Sequence, residues 1–134
     1  MLKGAQQECP KRLKAIRDAL EVINGKWKIP IITTLMFGKR RFKELLREID
    51  GITPKMLSKE LKELEMSHLV KRTVFDTSPV TVEYAITPFG MTLGNILEAL
   101  HDWGAALRNH VIFQDRMQTT NQEANRLANS PLKT

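Results

Sequence analysis

A mainly helical domain carrying one β-hairpin is predicted by three observations. Apolar residues recur at helical spacing over most of residues 10–68, the period changes to two over residues 70–87, and helical spacing returns after Pro88. At 134 residues and 42% hydrophobic content the chain can bury one core and is short for two independent domains. The expected organisation is a single domain over residues 1–113 and a polar tail over residues 114–134.

The elements follow in order. Pro10 and the run KRLKAIRDALEVI place Leu13, Ile16, Leu20 and Ile23 on one helical face, and Asn24 with Gly25 supplies a stop. KWKIPIITTLMF, from Lys26 to Phe37, is mostly apolar and reads as a buried helix closed by Gly38, with a strand as the competing assignment. Pro30 removes a backbone hydrogen bond there, so the helix starts late or kinks at it. RRFKELLREID spaces Phe42, Leu45, Leu46 and Ile49 as a short amphipathic helix ending at Asp50 and Gly51.

The next stretch, ITPKMLSKELKELE, opens with Thr53 placed to cap a helix and Pro54 at its first position, where a missing N–H costs nothing. This helix is expected to end near His68. VKRTVF and VTVEYAIT then flank the turn Asp76 to Pro79, and Val80, Val82, Tyr84 and Ile86 alternate with Thr81, Glu83 and Ala85 as in a hairpin. Thr87 and Pro88 repeat the cap-then-proline signal and open one long helix. Its seam is Leu93, Leu97, Leu100, Leu107 and Val111, widened by Ile96 and Trp103. From Gln114 onward the chain is polar and weakly patterned, which reads as a frayed or short helical tail.

Charge is uneven. Residues 1–72 hold 17 Lys and Arg against 9 Asp and Glu, and residues 73–134 hold 4 against 6, so the two parts carry +8 and −2. A basic part of that size draws polyanions, nucleic acid first and an anionic membrane surface second. No apolar run reaches the length of a membrane span and the first residues lack the apolar stretch of a secretory signal, so a cytoplasmic protein without a membrane partner is expected. The one cysteine, Cys9, excludes an internal disulfide, and no Cys/His cluster has structural-zinc spacing.

Within Thr53 to His68, Leu57, Leu61 and Leu64 share a narrow sector while Lys55, Lys59 and Lys62 lie opposite, with Ser58 beside them and Glu60, Glu63 and Glu65 on the flanks. A lone helix of this kind is usually just a solvated face. Its setting is different: a short helix, a glycine turn, a helix with a basic outer face and then a hairpin is the order of a winged helix-turn-helix. In that arrangement the second helix enters the DNA major groove. Thr53, Lys55, Met56, Ser58 and Lys59 would lie deepest, where lysine reaches guanine acceptors and a hydroxyl serves several bases. Lys62, Arg40 and Arg41 with their neighbours Lys39 and Lys43, Arg72 beside Lys71, and the turn residues Thr77 and Ser78 are the candidates for backbone contacts, which position without reading sequence.

CP at Cys9, GKWKI at Gly25, RRFKEL at Arg40, GITPKMLSKELKELE at Gly51, LVKRTVF at Leu69 and VEYAITPFG at Val82 resemble the successive motifs of the HxlR-type transcriptional regulators, relatives of the MarR group. The resemblance runs from Cys9 to Phe113. It implies a homodimer built from the terminal helices, one winged helix-turn-helix per subunit and a near-palindromic operator in double-stranded DNA, more often repressed than activated. The dimer residues would be Leu13, Ile16, Leu20, Leu93, Ile96, Leu97, Leu100, Trp103 and Leu107. Some relatives with a cysteine in this N-terminal place sense oxidants or electrophiles, which makes Cys9 the candidate for redox sensing and an oxidant or small molecule the candidate effector. A helix N-cap at Cys9, with Lys11 and Arg12 following, would favour its thiolate.

No enzyme is expected. Glu98 and His101 form one E-x-x-H where a carboxylate di-iron centre needs two, and no phosphate loop or nucleophile motif is present, so no cofactor and no metal is implied. Two binding alternatives differ in class. A winged helix used for protein interaction predicts no salt-sensitive DNA binding, and an RNA module is disfavoured because two Trp and one Tyr make no stacking platform.

Overall fold

A computed structural model describes residues 5–130, with side chains from Pro10 onward. The elements are α1 (Ala5–Val22), α2 (Lys28–Met36), β1 (Arg40–Arg41), α3 (Phe42–Glu48), α4 (Pro54–Met66), β2 (Val70–Phe75), β3 (Thr81–Ile86), α5 (Pro88–Met91) and α6 (Leu93–Ala128). They form two units, one ending at Leu93 and one beginning at Gly94.

Helix α1 departs from expectation at its start. Ala, Gln and Glu before the proline are good helix formers and carry the helix upstream to Ala5, so Pro10 lies inside it and Cys9 is not its N-cap. The Cys9 side chain lies outside the described residues. Helix α2 resolves the problem of Pro30 by starting late: Pro30 is its third residue, among the first four whose N–H groups have no intrahelical acceptor, so no bond is lost. Its ladder begins with Ile31 N–H donating to Trp27 O at 3.1 Å.

Arg40 and Arg41 form a two-residue strand that pairs antiparallel with Tyr84 and Glu83, giving a three-stranded sheet in the order β1, β3, β2. The hairpin forms as expected, its first strand within the expected limits and its second one residue shorter at each end, with Val70 opposite Ile86 and Phe75 opposite Thr81. The core of the first unit is Ile31, Ile32 and Leu35 of α2, Leu45 of α3, Leu57, Leu61 and Leu64 of α4, and Val70 and Tyr84 of the sheet. A turn at Gly51, with φ of 83°, joins α3 to α4.

Thr53 caps α4 by accepting from Met56 N–H at 3.2 Å. The helix ends two residues short of His68, in a motif that closes two orphan carbonyls: His68 N–H donates to Glu65 O and Leu69 N–H to Leu64 O, both at 3.0 Å. His68 holds the left-handed position with φ of 60° and its side chain is exposed. Glycine suits that backbone without the steric penalty of a Cβ, so His68→Gly should raise stability by about 1 kcal/mol, read as a higher melting temperature. No gain would show that the strain is relieved elsewhere.

Thr87 accepts from Gly90 N–H at 2.9 Å and donates to His68 O at 2.7 Å, tying the cap of α5 to the end of α4. The single helix expected from Pro88 is two. Gly90, Thr92 and Gly94 lower helix propensity together, and the Thr92 hydroxyl donates back to Phe89 O, so α5 stops after one turn and α6 begins at Leu93. A Cβ at Gly90 would stand 2.5 Å from Leu69 O and 2.7 Å from Ile86 Cγ1. Gly90→Ala should therefore cost about 2 kcal/mol in denaturant unfolding, since the backbone at Leu69 has to move. The region from Gln114 is helical, as one of the expected readings had it, but longer than a short tail: it continues α6 without a break to Ala128.

Candidate nucleic-acid interface

Leu57, Leu61 and Leu64 are buried, which turns Lys55, Met56, Ser58, Lys59 and Lys62 outward along α4. The sheet extends this surface. Ser58 and Lys62 share a cleft of about 310 Å³ with Glu65, Arg72 and Tyr84, so Arg72, a candidate for backbone contacts, stands beside the outer face of α4. Thr53 lies exposed at the start of the same helix, its hydroxyl oxygen engaged in the cap and its proton free to be donated.

The other candidates are distributed differently. Arg41 is exposed next to α3. Arg40 is half-buried and engaged: its Nε lies 2.9 and 3.1 Å from the two Glu48 carboxylate oxygens and its Nη1 donates to Gly38 O and Lys39 O at 3.0 Å. Arg40 thus fixes the turn before α3 with the same guanidinium a phosphate would need. Lys39 is 3.5 Å from Glu83, mostly exposed. At the wing tip Thr77 donates to Pro79 O at 2.7 Å and meets the Thr81 hydroxyl at 3.1 Å, while Ser78 is exposed.

One cation was not among the residues singled out from the sequence. Lys28 of α2 is buried, its side chain 8% exposed, and its Nζ lies 2.9 Å from Glu60 Oε2 and is hydrogen-bonded to Glu63 Oε2. That Glu60 oxygen is buried, and the Lys28 ammonium is the one cation at ion-pair distance from it among the described residues. Burial alone would lower the Lys28 pKa and is the largest single influence, but the hydrogen bonds and charges of Glu63 and Glu60 together outweigh it and raise the pKa above 10.5. The hydrogen bond from Lys28, and then its charge, hold Glu63 below 4.5. The cluster ties the inner edge of α4 to α2, alongside the buried leucines. Beside it a cavity of about 820 Å³ is lined by Asp18, Glu21, Lys28, Lys59, Glu60 and Glu63, among others.

On α1, Leu13, Ile16 and Leu20 are exposed. On α6, Ile96, Leu100, Trp103 and Leu107 are exposed, and Leu93 and Leu97 half-buried. Apolar side chains repeated along an exposed helix mark an interaction face. Glu98, His101 and Asp102 come within 4.8 Å of one another, all exposed on one helix face, where i, i+3 and i+4 spacing brings them together by itself. Among the described residues no helix is long and apolar enough to cross a membrane.

The chain is similar to known proteins in sequence and in fold. The chain is 42% identical over 97 residues to YtcD, an uncharacterised HTH-type transcriptional regulator of Bacillus subtilis (strain 168), covering 72% of this chain and 75% of the relative. Among solved structures it is similar to a MarR-family transcriptional regulator from Enterococcus faecalis V583, with a TM-score of 0.68 and 40% identity over 72% of this chain and 88% of the other. It is also similar to the redox regulator HypR in its reduced form, with a TM-score of 0.65 and 39% identity over 70% of this chain and 93% of the other. Residues 22–111, the span that holds α4, the wing and the leucine seam of α6, match one family throughout, and the chain belongs to the HxlR-like helix-turn-helix family.

Proposed function

We propose that this protein is a sequence-specific DNA-binding transcriptional regulator, a homodimeric repressor of a near-palindromic operator. The observation that carries the reading is the outer face of α4, which exposes Lys55, Lys59 and Lys62 and whose Ser58 and Lys62 adjoin Arg72 of the wing. Lys55, Met56, Ser58 and Lys59 enter the major groove, and Lys62, Arg41, Arg72 and Ser78 hold the phosphates. The engaged guanidinium of Arg40 supports a positioning role for it rather than a phosphate contact.

The exposed apolar faces of α1 and α6 form the dimer interface in this reading, and the two-fold axis sets the two α4 helices about 34 Å apart for successive major grooves. The likeness to HypR supports oxidant sensing by Cys9. A small-molecule effector acting instead would bear on α4 from the cavity that Lys59, Glu60 and Glu63 line.

Selection of bound fragments from genomic DNA by the reduced protein tests the reading. The expected product is a near-palindrome whose affinity falls steeply with salt, and whose binding is lost on mild oxidation in the wild type but not in Cys9→Ser. No enriched site at low salt would reject DNA reading in favour of a protein-interaction module.

A further inference from the structure

The leucine seam of α6 and its C-terminal apolar stripe face different ways. At about 100° per residue, the line through Leu93, Leu97, Leu100, Leu107 and Val111 continues into Gln114, Gln118, Asn121 and Asn125, so the seam ends in amides. A second line, about 100° round the helix because it runs one residue behind the first, carries His110, Phe113, Met117, Thr120, Ala124 and Leu127 at alternating steps of three and four. Phe113, Met117 and Leu127 on it are 58%, 46% and 77% exposed. This stripe lies almost wholly beyond residue 111, where the family match stops.

We propose that residues 110–127 pair antiparallel with the same segment of a second copy. The flanking residues select that occupant and its register. With His110 facing Leu127 of the second copy, Phe113 facing Ala124 and Met117 facing Thr120, the last two layers set a large side chain against a smaller one. The same register brings Arg116 opposite Glu123 on one flank and Gln114 opposite Asn121 on the other, each twice by symmetry. Sliding by one heptad in one direction sets Arg116 against its own copy, and in the other sets Glu123 against its own copy. Parallel pairing brings Arg116 to Asn121 and Glu123 to Ala128, so neither charge finds a partner. The charges thus fix direction and register, and the apolar layers supply the contact.

Because the stripe and the seam face apart, the copy held here is not the one held by the seam. The pairing therefore joins two dimers into a tetramer, a total that rests on the dimeric reading above. Each dimer offers two such segments, and closing the second contact after the first raises the apparent affinity of a short helix pair. A tetramer holds two operator-reading dimers at once.

Sedimentation equilibrium of the full chain in reducing buffer tests this with Arg116→Glu, Glu123→Arg, the double variant and an equimolar mixture of the two single variants. Circular dichroism checks that each keeps its helix. The expected masses are four chains for the wild type and two for either single variant. Four chains return in the double variant and in the mixture, where positions 116 and 123 of facing copies again carry opposite charges. A single reversal that leaves the mass unchanged, or a double variant that fails to restore it, overturns the pairing. A wild type of two chains falling to one in Arg116→Glu supports the pairing and removes the dimeric reading instead.

Discussion

Replacing Lys55 and Lys59 together by alanine should lower affinity for the selected operator about a hundredfold at fixed salt, while leaving the mass of the assembly unchanged. The size follows from about 1–2 kcal/mol for each lysine withdrawn from a base edge. Both side chains are exposed on α4 and neither holds the fold, so the loss is one of recognition rather than folding. A contrast variant sharpens the result. Lys62→Ala, beside Arg72 in the cleft, should weaken operator and unrelated DNA alike and reduce the salt slope by about one, as removal of a phosphate ligand does. Equal operator affinity in the wild type and the double variant would remove this face of α4 from the interface.

Lys28→Ala should destabilise the protein by about 3 kcal/mol near neutral pH, because a buried ion cluster loses the one cation that holds it together. Glu60 is left with a buried oxygen beside Glu63, and neither has another cation at ion-pair distance among the described residues. The pH dependence has a definite sign. Glu63 has a lowered pKa, so its contribution is present above 4.5 and is lost as pH falls through its folded value; Lys28 has a raised pKa, so its contribution is present below 10.5 and is lost as pH rises through its folded value. The gap between wild type and Lys28→Ala, measured by urea unfolding, should narrow at both extremes. Lys28→Met combined with Glu60→Gln should recover part of the loss, since it fills the space and removes one stranded charge. A pH-independent gap would mean that packing around Lys28, and not its charge, supports α4.

The parts of the fold that rest on repetition were legible. Three leucines at helical spacing located α4 and its outer face, Thr53 before Pro54 located its cap, and strict alternation located the hairpin. What escaped has no period. Strand β1 is two residues long and is defined by what it pairs with, Glu83 and Tyr84, which lie more than 40 residues on in the chain. Lys28 reads as an isolated charge in an apolar helix, and only the packing of α2 on α4 brings Glu60 and Glu63 to it. Arg40 looked like a free cation in a basic run because nothing in the run tells that Glu48 folds back onto it. The split at Thr92 was within reach, since two glycines flank it, but the cap at Thr87 signals a start without saying how long the helix lasts. The helical course of residues 114–128 was obscured by amide side chains, which hid an apolar line displaced from the one above it.

Tethered cleavage would show whether α4 lies in the major groove. In a Cys9→Ser background, Met56→Cys provides one attachment point for an iron chelate on the exposed face of α4. On the selected operator, the cuts should fall in two clusters about one helical turn apart, each centred on a half-site and spread across the major groove. Cuts confined to the flanking backbone, or scattered without regard to the half-sites, would contradict the assignment of α4 as the reading helix.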